Sequence, residues 1–225
     1  MSSPALGATQ ARAPSPIALR FGERLPDRAR LGALMSIAVP IIGGMLSQNV
    51  FNLVDAYMVG RLGDVALASV GLGSFLSFMC MAPMMGLGAG VQATSARRVG
   101  EGHVDQAAQP LNGGLVLALA LGIPWCAASV LVAHDALGLI APEDTVHLEG
   151  TRYLEARLFG VVFIGMNFAF RGYWNAMGQA WFYMGTLVVM HASNILFNWL
   201  LIFGSLGFPE LGVEGAGIAS TLASI

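Results

Sequence analysis

The chain of 225 residues is 56% hydrophobic and only 11% charged, with a formal net charge of −2. Soluble globular proteins are about 25% charged, so this composition excludes an ordinary soluble domain. Long uncharged runs alternate with short charged segments. We therefore predict an all-α polytopic membrane protein surrounded by lipid. We expect no nucleic-acid partner, no cofactor and no enzymatic activity.

The apolar runs divide the chain into a tail and a membrane region. Residues 1–30 contain Ser, Pro, Ala and Arg but no apolar core of a signal peptide, and we expect a disordered cytoplasmic tail. About 20 helical residues cross a bilayer. By this measure spans lie near 31–57, 67–93, 110–133, 153–176 and 184–204, with an incomplete one at 211–225. The last run covers about 22 Å, so we expect the sequence to be a fragment of a longer protein.

The arginines indicate how the chain is oriented. All 11 basic residues are Arg, which hints at a bacterial source, and five of them precede the first span. The loop after the second span is also basic, whereas the loops after the third and fifth are acidic. The positive-inside rule then predicts a cytoplasmic N-terminus in the plasma membrane. Arg157 and Arg171 enclose 13 neutral residues, so we expect one or both to snorkel outward from the ends of the fourth span.

One charged residue, Asp55, lies within the first span. A carboxylate there costs about 2.5–3.5 kcal/mol and is typical of a functional site. Gln48 and Asn52 share its helix face by their i, i+4, i+7 spacing, and we expect that face to line a substrate cavity. The alternative is an interfacial aspartate at the outer helix end, near Val59. Pro40 interrupts the same helix and predicts a hinge.

The fifth span carries a matching polar face. His191, Asn194 and Asn198 follow at i, i+3 and i+7, and they are candidates for the same cavity and for ion coupling. Amides in membrane helices also serve as packing contacts between helices. Ser220 and Thr221 add hydroxyl groups in the sixth span, although such groups often bond to their own backbone.

Two further features concern the second and fourth spans. Gly86, Gly88 and Gly90 predict a face for close helix packing. Asn167 is a further candidate to line the cavity. We expect no metal site, apart from a Na⁺ site to which Asp55 could contribute.

Five segments in order resemble the N-terminal lobe of the multidrug and toxic compound extrusion (MATE) family. The resemblance runs from about Leu34 to Ser224. The segments are AVPIIGGMLSQNVFNLVDAYMVGRLGDVALASVG, ARRVGEGHVDQAAQ, RGYWNAMGQ, NILFNWLLIFG and PELGVEGAGIAST.

The resemblance implies a fold and an activity. Family members have about twelve spans in two six-helix lobes with alternating access to a central cavity. They export cationic or amphipathic drugs and metabolites, driven by H⁺ or Na⁺ entry. This chain would be the first lobe, cut in its sixth helix, and the C-terminal lobe would be its missing partner. The family's first-helix aspartate falls on Asp55 and its helix-bending proline on Pro40.

The resemblance also implies an ion-coupling site with one departure. Many prokaryotic members have an Asn in the fifth helix and a carboxylate four residues later. Here the pair is Asn194 and Asn198, so the second carboxylate is missing. The hydroxyl early in the sixth helix would be Ser220 or Thr221.

Two other functions compete with drug efflux. A lipid-linked oligosaccharide flippase of the same superfamily would need several basic residues in its cavity for pyrophosphate. The candidates here are Arg152, Arg157 and Arg171, which we expect at the ends of the fourth span. The other alternative to drug efflux is an inactive half-transporter, or a helper subunit, that needs a partner lobe.

Overall fold

The computed structural model describes residues 28–141 and 143–225, except for the side chains of 28–30, 33, 34 and 37. Over these residues the fold consists of seven α-helices, with 3-10 turns at Val104–Gln106 and Ser205–Gly207. The helices are α1 (Arg28–Gly60), α2 (Asp64–Gly100), α3 (Gln109–Gly138), α4 (Asp144–Leu158), α5 (Val161–Ala176), α6 (Ala180–Ile202) and α7 (Gly212–Ala223). The tail predicted for residues 1–30 lies almost wholly outside the described residues.

Several of these helices have the length and composition of membrane spans. Within the described ranges, Asp64–Gly100, Val104–Gly138 and Ala180–Ile202 are long and apolar enough to cross a bilayer. The pair α4–α5 adds a fourth crossing if it is taken as one bent span. Helix α1 has 33 residues, or about 50 Å of helix. Large apolar side chains such as Leu53 and Leu131 are exposed, as contact with lipid requires.

The fourth span differs most from its prediction of 153–176. It begins at Asp144 as α4, breaks after Leu158, and continues as α5 at an angle of 49°. The apolar pattern could not reveal α4, because this helix contains five charged residues. Helix α4 is nevertheless well anchored, since Val146 and Tyr153 on its inner face are buried.

The break between α4 and α5 exposes carbonyl groups that other helices satisfy. The Thr221 hydroxyl of α7 donates to the carbonyl oxygen of Ala156 at 2.7 Å, and the Cys126 thiol of α3 donates to that of Leu158 at 3.2 Å. Gly160 lies at the break, where a Cβ would be 3.1 Å from the Thr221 hydroxyl. The missing side chain therefore lets α7 approach.

Glycine packing joins α2 to α5. A Cβ on Gly172 would overlap the carbonyl oxygen of Gly88, and a Cβ on Gly88 would lie 2.6 Å from the carbonyl oxygen of Phe168. The predicted face of Gly86, Gly88 and Gly90 is wrong in part, since Gly86 and Gly90 have open space beside them. Residues two apart on a helix point in nearly opposite directions, so Gly88 alone faces α5.

Apolar side chains from five helices form the core nearest to Asp55. The cluster combines α1, α2, α4, α6 and α7. Its buried members are Met58, Val59, Ala66, Val70, Tyr153, Ile202, Val213 and Ala216. This packing holds the ends of α1 and α6 together.

The end of α2 carries an exposed ion pair. The Nε atom of Arg97 donates to the carboxylate of Glu101 at 2.8 Å. This bond lowers the pKa of Glu101 below its usual value. An exposed pair of this kind contributes little to stability.

Candidate functional site

A cavity of about 600 Å³ opens between α1, α2, α4–α5, α6 and α7. It is lined by Gln48, Asn52, Asn167 and His191, the four residues for which the sequence analysis predicted that position. Apolar residues supply much of the remaining wall. The combination of apolar surface and a few polar groups is typical of a small-molecule site.

A chain of polar side chains joins α1, α6 and α7 beside the cavity. The Asn198 amide donates to the Asp55 carboxylate at 2.6 Å and to Asn194 Oδ1 at 2.8 Å. The Asn194 amide in turn donates to Ser220 Oγ at 3.2 Å. Four of the five predicted ion-coupling residues are therefore in one connected network. Asn198 is fully buried, and its Oδ1 atom has no hydrogen-bond partner among the described residues.

Arg157 extends this network, contrary to the expectation that it could snorkel away. Its Nη1 atom donates to Ser220 Oγ at 3.2 Å and to Tyr153 Oη at 2.7 Å. The Tyr153 hydroxyl also bonds to Ser74 at 2.8 Å. Arg157 lies one residue before the end of α4, and therefore inside the bent span.

His191 organises the second polar face. Its ring is buried, stacks on Phe51 with centroids 4.7 Å apart, and bonds to Ser47 Oγ at 2.8 Å. The other ring nitrogen is 3.2 Å from Gln48 Oε1, and the Gln48 amide donates to Asn52 at 3.0 Å. The polar faces predicted for α1 and α6 thus contact one another.

The other predicted residues have different surroundings. Thr221 bonds to the carbonyl oxygen of Ala156 rather than to the network around Asp55. The Asn167 amide lines the cavity while it donates to the carbonyl oxygen of Ser224 at 2.9 Å. Pro40 is buried in α1 and borders the cavity.

Sequence reasoning missed several members of this site. Arg157, Tyr153, Ser74 and Ser47 all contact residues that are distant along the chain. One signal for Arg157 existed, because the 13 residues between it and Arg171 are too few for a span. No comparable signal marked the two serines.

The fold and the cavity define the class of this protein: it is an α-helical membrane protein with a cavity of small-molecule size. The family model MatE matches residues 40–200, and the chain therefore belongs to the MATE family, as the sequence resemblance predicted. Proteins of this family are transporters. The described helices and this membership make it a multi-pass membrane protein.

Individual relatives support the assignment and its extent. The chain is 29% identical to a probable multidrug resistance protein NorM of Mesorhizobium japonicum, over 92% of this chain and 45% of that protein. It is 32% identical to a probable NorM of Synechocystis, over 92% and 44%. A solved outward-facing MATE family transporter of the MOP superfamily matches with a TM-score of 0.76 at 25% identity, over 90% of this chain and 45% of that one. The chain thus spans about half the length of these relatives and corresponds to the N-terminal lobe.

Proposed function

We propose that this lobe belongs to a cation-coupled antiporter that exports amphipathic small molecules by alternating access. The observation that carries the proposal is the 2.6 Å bond from Asn198 to Asp55. This bond joins α1 to α6 beside a cavity of substrate size. A change in the charge of Asp55 would therefore act on the helix contact and on the cavity wall together.

Coupling in this proposal depends on the hydrogen bond that Asp55 accepts. A carboxylate accepts a stronger bond from the Asn198 amide than a neutral carboxyl does. Neutralisation of Asp55 would loosen α1 from α6 and let α1 bend at Pro40, 15 residues earlier in the chain. Ion and substrate would then oppose each other's binding to the same degree, as thermodynamic linkage requires.

The surroundings of Asp55 favour H⁺ over Na⁺ as the coupling ion. The buried Oδ1 atom of Asn198 is an acceptor that Na⁺ could use. However, Asp55 is the only acidic side chain in the network formed by the described residues Asn194, Asn198 and Ser220, so Na⁺ would depend on neutral oxygens for its other ligands. A proton needs fewer oxygen ligands than Na⁺ does.

The proposed transporter needs a second lobe and a defined orientation. Gln48 and Asn52 lie on one open wall of the cavity, and the chain covers 45% of its NorM relative. The C-terminal lobe would supply the opposite wall. The arginine distribution supports a cytoplasmic N-terminus in a bacterial plasma membrane.

The test is Asp55→Asn in the transporter as its gene encodes it, with Asp64→Asn as the matched control. Asp64 is an exposed carboxylate in the first turn of α2. We expect Asp55→Asn to reduce ion-driven dye efflux at least about 10-fold, as loss of one charged hydrogen bond would allow. We expect Asp64→Asn to leave efflux unchanged. Full, ion-dependent efflux by Asp55→Asn would exclude Asp55 as the coupling residue.

A second assay separates the proposal from an inactive half-transporter. Cells that express residues 1–225 alone should show no efflux above background, because one wall of the cavity is missing. Efflux by this chain alone would mean that it works as it stands or as a homodimer. The dye and the expression level must be the same as in the Asp55 assay.

A further inference from the structure

The charges on the cavity wall have one sign. Arg157 and Arg171 both line the cavity, and neither Asp nor Glu is among the described residues that line it. Asp55 is not among the lining residues, and its carboxylate accepts a hydrogen bond from the Asn198 amide. The charged side chains that a ligand meets on this wall are therefore both basic.

Arg157 has unused capacity to bind an anion. Its nearest polar partners are two neutral hydroxyls, those of Tyr153 and Ser220. Within the described part of the chain it forms no ion pair within 4.0 Å, and its buried Nε atom has no hydrogen-bond partner. A partly buried guanidinium with no described carboxylate in contact is unfavourable. An acid on a ligand would supply a counter-charge, and the planar donor fork of Arg matches carboxylate and phosphate.

Arg171 gives the cavity a second basic position. Its guanidinium lies 5.6 Å from the ring centre of Tyr183. The bend between α4 and α5 lies between Arg157 and Arg171, which are on different helices. Arg157, which is the more buried of the two, is the better anchor.

The rest of the wall suits an apolar body. Phe78, Met81, Met85, Ile164 and Phe168 line the same cavity. Methionine side chains adapt to apolar ligands of different shape. A ligand with an acidic head and an apolar body would satisfy both parts of the wall, whereas a cationic drug would meet two like charges.

We infer that this cavity takes amphipathic molecules with an acidic head group, which binds at Arg157 while the apolar body packs against Met81, Met85 and Phe168. The inference rests on the proposed transport function and names its substrate class. Among the cationic or amphipathic molecules that the family resemblance implies, it selects acidic amphipathic ones.

The test is a fluorescence titration of the transporter, as its gene encodes it, purified in nanodiscs with three related probes. Dansylglycine is anionic, dansylglycinamide is neutral and dansylcadaverine is cationic, and all three share one fluorophore. We expect dansylglycine to bind at least about 10-fold more tightly than the neutral amide, as a charge-assisted bond provides. We expect dansylcadaverine to bind most weakly. This ranking needs no variant, so a variant that fails to fold cannot obscure it.

Variants of Arg157 test whether this residue causes the preference for the anionic probe. Arg157→Gln should remove the preference for dansylglycine and leave the affinity for the neutral amide within about twofold, while Arg157→Lys should keep part of it. Arg152→Gln is the matched control, because Arg152 is an exposed residue of the same helix outside the cavity. An equal loss for all three probes in Arg157→Gln would show a structural role and overturn the inference.

Other results would overturn the inference in ways that separate it from the proposed function. Equal binding of the anionic and neutral probes, or tighter binding of the cationic probe, would reject the acidic ligand but leave the cavity as a ligand site. Absence of binding by all three probes would reject the cavity as the site of the acidic ligand and overturn the inference, whereas the Asp55→Asn efflux assay decides the proposed function separately. Displacement of dansylglycine by farnesyl diphosphate, but not by decanoate, would identify the acid as a lipid diphosphate. The reverse result would identify a free carboxylic acid.

Discussion

Two helix interfaces in this lobe are formed by different groups: backbone atoms in one and polar side chains in the other. Between α2 and α5, Gly88 and Gly172 bring the backbones into direct contact. Between α1 and α6, polar side chains meet, including the Asp55–Asn198 bond and the His191 contacts. Backbone contact leaves no room for sliding, whereas hydrogen-bonded side chains can exchange partners. The comparison indicates that α2–α5 is the fixed part and α1 is the part that can move.

The largest expected effect comes from Gly172→Ala in the glycine interface. The added methyl group would overlap the carbonyl oxygen of Gly88, and we expect a loss of about 2–3 kcal/mol in the free energy of unfolding. Thermal unfolding in detergent measures it. Gly86→Ala is the control, because that site has open space and Ala favours helix. If both variants unfold alike, α2–α5 is not the rigid interface.

Asn198→Leu should have the next largest effect. It removes the donor to the half-buried Asp55 carboxylate, and a bond to a charged group contributes about 1.5–3 kcal/mol. We expect a loss near the lower end of that range, since Asp55 is only partly removed from water. Asn49→Leu is the control, because Asn49 is exposed and bonds within its own helix. Unfolding at several pH values measures both. A loss as large as that of Gly172→Ala would remove the distinction between the two interfaces.

The smallest effect concerns the hydroxyl pair of α7. Thr221→Val should lower the free energy of unfolding by about 1 kcal/mol, because the carbonyl oxygen of Ala156 loses its partner. Ser220→Ala should also lower the free energy of unfolding, because Asn194 and Arg157 lose an acceptor, but it alone should reduce efflux in the complete transporter. Measured together, the two variants show which of these neighbouring hydroxyls contributes to transport. A loss of efflux in both with equal stability would place Thr221 in the network as well.

The parts of this fold that were predictable from sequence are those that depend on local pattern. Uninterrupted apolar runs marked α2, α3 and α6, and helical spacing put Asp55 on one face with Gln48. The position of Asn198 beside Asp55 was expected from family resemblance. Periodicity by itself cannot say which faces of two helices meet.

The unpredicted parts depend on contacts between distant residues. Arg157 and Ser220 are 63 residues apart, and no pattern in either segment predicts that their side chains form a hydrogen bond. Helix α4 was not predicted, because its high content of charged residues is typical of a loop between membrane spans. The choice between Ser220 and Thr221 also needed the structure, since adjacent residues point about 100° apart on a helix.

The break between α4 and α5 has a consequence for biogenesis. Within lipid, each free carbonyl needs a donor, and here the donors to Ala156 and Leu158 come from α7 and α3. We therefore expect the carbonyl oxygen of Ala156 to lack its donor when the α4–α5 segment leaves the translocon. The donor, Thr221, belongs to α7, which is synthesised later. The bend thus makes the last helix of this lobe a condition for the correct folding of the fourth span.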